Sequence, residues 1–208
     1  MSGARFNTLG AFVQDEDGAT LVEFAMVLGI LLFLVFGIID FARLGFTHVW
    51  ADKATETAVR MATVRSPACP DVSAVNQRSL IGTLYVDLPN GTLCTARDNL
   101  CRDPGEVSCT GDLSNETVAA VWARVSALLP NNATPANLRF TYEYDPNINR
   151  VGAPYAPIVT VGLDDLTFDF ISPLGALAGL AGAQETDDLG ASFVFASLSA
   201  TLPAEDLE

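Results

Sequence analysis

Few side chains in this 208-residue chain are placed to do chemistry, and Glu23 is the first. It stands alone in an apolar stretch: Ala19 to Val22 precede it, and Phe24 to Ile39 follow with no charged residue. An ionised carboxylate in hydrocarbon costs on the order of a few kcal/mol, less near the interface. An acid there snorkels to the headgroups, takes up a proton, or meets a cation. The second group is four cysteines, Cys69, Cys94, Cys101 and Cys109, all downstream of the apolar run. An even number on one side of an anchor points to disulfides in an oxidising compartment, with three pairings open. Zinc is the rival chemistry. The wide spacings, the lack of a Cys-x-x-Cys and the isolation of the only histidine, His48, weigh against it.

Other chemistry lacks its residues. There is no Gly-x-x-x-x-Gly-Lys-Ser/Thr phosphate loop and no Gly-x-Gly-x-x-Gly. His48 is alone and close to the apolar run, so no histidine-dependent triad fits the rest of the chain. Asp145, Asn147 and Asn149 are spaced like the opening of a calcium loop. Arg150 occupies its glycine position, however, and Ala156 its closing acid position. Asn90, Asn115 and Asn132 each head an Asn-x-Thr triplet, a pattern that arises often by chance. The reading is therefore no catalytic residue, no metal and no cofactor. The formal net charge of -14 argues against nucleic acid, whose phosphates need patches of Lys and Arg. It argues equally against adhesion to anionic lipid through a basic surface.

These residues need a membrane helix and a domain to position them. About twenty apolar residues span a bilayer core, which assigns residues 19–40 to a transmembrane helix. A secretory signal peptide has positive residues before a shorter core; here Asp15, Glu16 and Asp17 come first. No proline occurs between Gly18 and Ser66. Trp50, Ala54, Ala58, Met61 and Ala62 recur at helical spacing, so the helix continues through residues 41–65, roughly 70 Å in all, and stops at Ser66-Pro67. Arg43, Lys53 and Arg60 downstream favour a cytoplasmic C-terminal side by simple charge counting. Long domains translocate largely regardless of such counts, and the cysteines place the domain outside.

Gly18-Ala19-Thr20-Leu21-Val22-Glu23-Phe24-Ala25, followed by an apolar helix ending Gly37-Ile38-Ile39-Asp40-Phe41-Ala42-Arg43, resembles the TadE/TadG-like family. These are pilin-like minor proteins of the bacterial tight-adherence (Tad/Flp) pilus, a branch of the type IV pilus superfamily. Phe195 to Leu202 also resembles the family's closing strand. The resemblance implies that a prepilin peptidase removes a leader, residues 1–18, after Gly18. Ala19 becomes the mature terminus and Glu23 the fifth residue. Four residues apart on one helix face, the new α-amine and the Glu23 carboxylate can pair, within one chain or between neighbouring helices. The implied partners are the membrane, the peptidase, other pilin-like subunits and the pilus assembly platform. The implied location is the inner membrane, single-pass, with the C-terminal domain periplasmic or carried into an extracellular pilus. The alternative is an unprocessed single-pass anchor for an adhesive or ligand-binding domain.

Residues 66–208 form the extracytoplasmic domain. Val75 to Leu88 reads as a short helix or strand, Pro89-Asn90-Gly91 as a turn, and Cys94 to Gly111 as a polar loop stapled by cysteines. Ser114 reads as an N-cap for a helix with Val118, Val121, Trp122, Val125, Leu128 and Leu129 on one face. Strands are expected at Leu138–Tyr144, Pro157–Leu163, Leu166–Ile171 and Ser192–Leu202. Pro173–Gly182 reads as a surface loop. The expected fold class is α+β: a long N-terminal transmembrane helix running into a small domain with an antiparallel β-sheet and one or two short helices.

Overall fold

The computed structural model describes residues 17–170, 192–205 and 207. Within it, α1 is one helix, Asp17–Ala62. The described residues fall into two compact units that divide within α1, after Arg43. In the first unit, every side chain from Thr20 to Ile39 is exposed except at half-buried Gly37. The most apolar window there has a mean hydropathy of 2.7, and none of it is buried by the protein itself. A helix that is apolar on all faces and uncovered by its own fold suits a bilayer or a bundle of like helices.

In the second unit α1 changes texture. Ala51, Ala54, Thr55, Ala58, Val59 and Ala62 are buried, at the spacing of a single stripe. The sheet runs β1 (Val107–Thr110), β2 (Leu138–Glu143), β3 (Ile158–Leu163) and β6 (Leu198–Pro203), in that order and antiparallel throughout. Period-two alternation places Leu138, Phe140 and Tyr142 on the buried face, opposite Leu163, Val161 and Val159 of β3. A short helix, α2 (Glu116–Val125), buries Val118, Val121 and Val125. The architecture is α+β, as the sequence pattern predicts. A second, smaller core gathers Cys94, Leu100, Cys101 and Val151, with Tyr85, Leu88 and Tyr144 packed on it.

Local boundaries differ from the sequence reading for physical reasons. The helix ends at Ala62 rather than Arg65, because tertiary partners take over: the Thr63 carbonyl accepts from the Glu205 N–H. The cap of α2 is Asn115, not Ser114. The Asn115 side chain accepts from the N–H groups of Thr117 and Val118, while the Ser114 N–H is taken by Asp112. Trp122 is half-buried rather than fully in the core. Val75–Leu88 is neither helix nor strand. Isolated bridges at Val75 and Arg78 and a 3-10 turn at Gly82–Leu84 shape it. Cys94–Gly111 is not all loop, since it holds a 3-10 turn, Cys94–Ala96, and the edge strand β1.

The strand expected at Leu166–Ile171 shrinks to β4 (Thr167–Phe168), and Ser192–Leu202 splits into β5 (Phe193–Val194) and β6. β4 and β5 form their own two-stranded sheet. The cause is Asp165, whose φ of 54° turns the chain away from β3 through the left-handed region. Ile171, the Pro173–Gly182 segment and residues 1–16 lie outside the described residues.

Candidate assembly helix and its anchor points

Gly18 and Ala19 lie in the first turn of α1, and Glu23 follows one helical turn after Ala19. The Glu23 side chain is exposed among exposed apolar neighbours. The next basic residue after Glu23 is Arg43, twenty positions or about 30 Å further along the helix. The helix therefore supplies no cation within reach of the acid. Asp40 closes the apolar stretch differently. It is 1% exposed, and its Oδ1 accepts from Arg43 Nη1 at 3.1 Å, one turn on. The sequence carried that signal in the i, i+3 spacing of the two charges.

Further up, α1 is tethered to the domain within four residues. Ser66 O accepts from the Thr117 hydroxyl at 2.7 Å, and Pro67 O from Asn115 Nδ2 at 3.0 Å. The Ala68 N–H donates to the Tyr142 hydroxyl at 2.8 Å. Cys69 is bonded to Cys109, which pins the chain after the helix to β1. The other disulfide joins Cys94 to Cys101. Burial pushes the Tyr142 hydroxyl up from its ordinary pKa, and the bond from Ala68 opposes part of that shift.

The remaining sequence candidates are placed as follows. The ring of exposed His48 lies 6.2 Å from that of Phe195. In the segment spaced like a calcium loop, Asp145 Oδ1 accepts from both nitrogens of Asn147, which makes a local turn. Asn149 is fully buried and wholly engaged. Its Nδ2 donates to the carbonyls of Asp145 and Ala156, and its Oδ1 accepts from Asn76 Nδ2 and the Ala156 N–H. These residues thus brace one another. Among the described residues no group of three or more His, Cys, Asp or Glu side chains is arranged to hold a metal. Asp164 pairs with Arg139.

Two surfaces that sequence reasoning missed lie on α1 and α2. Lys53, Glu56, Arg60, Arg65 and Arg124 line a largely cationic cleft, unusual in so acidic a chain. Lys53 donates to Glu56 at 2.7 Å, a pairing that raises the lysine and lowers the carboxyl. Phe46, Thr47 and Trp50 face Ala127–Pro130 across an apolar groove.

The geometry is that of a helix built to lie among apolar neighbours, with a glycine at its start and one acid a turn and a half in. Residues 18–60 match the family model for TadE-like proteins. No curated protein and no solved structure matches the chain. The TadE-like segment begins at Gly18, contains Glu23, and ends two residues short of the end of α1. The match covers 43 of the 208 residues, and TadE-like proteins are a structural, pilus-associated family. The domain that follows the segment lies outside the match.

Proposed function

We propose that this chain is a pilin-like structural subunit of a tight-adherence pilus, a minor pilin or pseudopilin. In this reading it inserts with its N-terminus in the cytoplasm of the inner membrane. A prepilin peptidase cuts after Gly18, and residues 19–40 span the bilayer. Residues 41–65 and the domain 66–208 project into the periplasm. The carrying observation is the TadE-like match that starts at Gly18, together with an exposed Glu23 in an apolar helix whose next cation, Arg43, is twenty positions away.

Cleavage supplies the missing cation. Two unit charges about 4 Å apart gain about 4 kcal/mol at an effective dielectric near 20, comparable with the few kcal/mol that a carboxylate costs in the membrane. An unsatisfied acid thereby becomes a register mark for lateral helix packing. The partners are the peptidase, other pilin-like subunits and the assembly platform. The two disulfides suit an oxidising compartment and so support the external placement of the domain.

The test is mass spectrometry of the N-terminus of the native protein from its host. A terminus at Ala19 is expected; a chain recovered with its leader intact overturns the reading. The second reading, an unprocessed anchor for a ligand-binding domain, draws on one observation. A polar cleft of about 280 Å³ is lined by Asp71, Ser73, Asn76, Gln77, Arg102 and Tyr155. It predicts an uncut leader and binding of a surface ligand by the anchored protein.

A further inference from the structure

One cleft of the domain holds opposite charges that do not pair. Asp71 and Arg102 both line the polar cleft of about 280 Å³, and neither makes an ion pair among the described residues. Acids outnumber Lys and Arg by 25 to 11 in this chain, and Arg43 and Arg139 each hold one. An unpaired cation and an unpaired anion beside one opening are complementary to a ligand that carries both signs.

The floor of the cleft is polar and buried. Asn76 and Tyr155 are each 5% exposed. Asn76 Nδ2 donates to Asn149 Oδ1 at 2.8 Å and to the Pro154 carbonyl at 3.0 Å. Both amide hydrogens are then used, which orients the amide and leaves its Oδ1 with no donor among the described residues. The Tyr155 hydroxyl has no hydrogen-bond partner among them either. Among the described residues no side-chain oxygen or nitrogen is sealed away unsatisfied, so both atoms open to solvent in the cleft they line. Buried polar groups are as a rule hydrogen-bonded, and exceptions at a cleft floor point to a ligand. Burial, then Asp103 and Tyr144, push Tyr155 up to about 12, so its hydroxyl keeps its proton and can donate. The floor thus offers one donor and one acceptor beside a cation and an anion.

The walls are fixed before any ligand arrives. Asp71 follows Cys69 by two residues and Arg102 follows Cys101 directly, so a disulfide stands beside each. The Arg102 N–H donates to Gln77 O at 2.8 Å, and the Asn76 N–H to Ala153 O at 2.9 Å. Such preorganisation lowers the ordering cost of binding.

Charge and size narrow the ligand. A simple cation would be repelled by Arg102, and a simple anion by Asp71 and by the Asp103 carboxylate that acts on Tyr155. A saccharide stacks on an open aromatic face, but the Tyr155 ring is buried and stacked on Tyr144 with centroids 6.3 Å apart. The volume lies at the small end of ligand sites, which run from about 300 to 1,000 Å³.

The structure assigns this cleft to a small zwitterion of the α-amino-acid class, its carboxylate on Arg102 and the Tyr155 hydroxyl, its ammonium on Asp71 and Asn76 Oδ1. This names the ligand of the cleft on which the ligand-binding reading draws. It rests on that reading for a binding role alone, since a cut and an uncut chain carry the same cleft.

The experiment is titration calorimetry of the full chain, purified from its host in detergent micelles. The probes are the standard L-amino acids, then the N-acetyl and carboxamide derivatives of the tightest binder, and glucose and N-acetylglucosamine. At least one amino acid is expected to bind, and both of its singly charged derivatives about tenfold or more weaker. Arg102→Gln should abolish the preference over the carboxamide, and Asp71→Asn the preference over the N-acetyl form. Both side chains are exposed, so the variants keep the fold, which an unchanged unfolding midpoint verifies. No amino-acid binding, equal binding of the three forms, binding of the sugars instead, or preferences that survive both substitutions overturns the assignment. The N-terminus is determined on the same preparation. The expected binding on a chain that begins at Ala19 upholds the assignment and refutes the unprocessed anchor. A chain that keeps its leader and binds no amino acid refutes the assignment alone.

Discussion

Removing each disulfide in turn separates two roles that the cysteines play. Cys69–Cys109 spans 40 residues and Cys94–Cys101 only 7. In the chain-entropy account, closing those loops in the unfolded state stabilises the fold by about 4 and about 2.4 kcal/mol respectively. Each double Cys→Ala variant removes two sulfur atoms, at buried Cys69 and half-buried Cys109 in one and at buried Cys94 and Cys101 in the other, so the cavity cost is no larger in the first. Cys69→Ala/Cys109→Ala should therefore destabilise the domain by about 1.5 kcal/mol more than Cys94→Ala/Cys101→Ala. The assay is denaturant unfolding of the full chain in detergent micelles, followed by Trp122 and Trp50 fluorescence. The paired measurement is alkylation of protein from host cells. No cysteine should react before reduction, and all four after it. Equal or reversed costs would refute the loop-length argument. Four reactive thiols in the native protein would refute the oxidising compartment and with it the external domain.

Three further outcomes follow from named contacts. Glu23→Ala should leave membrane insertion intact and lower piliation by about tenfold or more, as scored by shear release of pili; normal piliation contradicts the charge-register role. Asn149→Ala strips partners from the Ala156 N–H, the Asp145 and Ala156 carbonyls and one Asn76 bond, and should cost about 3 kcal/mol in the same unfolding assay; a loss under about 1 kcal/mol would show that water replaces the amide. Burial, then the Asp103 carboxylate and Tyr144, push Tyr155 up to about 12. Its folded pKa thus lies above the unfolded value near 10, so its contribution is complete below pH 10 and is lost as pH rises towards 12. Tyr155→Phe should flatten that alkaline fall, which a pH series of unfolding curves will show.

The sequence announces whatever is periodic or apolar without interruption. The Leu138, Phe140 and Tyr142 alternation predicts β2 closely, and the run from Phe24 to Ile39 predicts an exposed apolar helix, because each pattern maps one side chain to one face. What it hides is set by single polar contacts between distant residues. Asn115 outcompetes Ser114 as the cap because its side chain also reaches Pro67 O, 48 residues away. Asp165, between the strands expected at Pro157–Leu163 and Leu166–Ile171, takes a positive φ that the strand pattern does not announce. The Arg78 loop has no periodic signature, since a guanidinium bonded to three carbonyls replaces regular backbone pairing. The Phe46–Trp50 groove needs α1 and the chain after α2 together, and the sequence does not specify their proximity. Glu23 stands out as a candidate because an acid in an apolar run has few physical excuses.

The two textures of α1 suit two kinds of neighbour. A helix covered by its own domain needs one apolar stripe, which Ala51, Ala54, Ala58 and Ala62 provide in residues small enough for close packing. The run from Thr20 to Ile39 has no such stripe; it is apolar on every face, which suits lipid or other apolar helices. The weak point of such a design is the junction, where Ser66-Pro67 leaves the helix and a hinge would let the head swivel. Two side-chain bonds to α2, one to β2 and a disulfide to β1 fall within Ser66–Cys69 and remove that freedom. Whatever fixes the upper half of α1 therefore fixes the head as well.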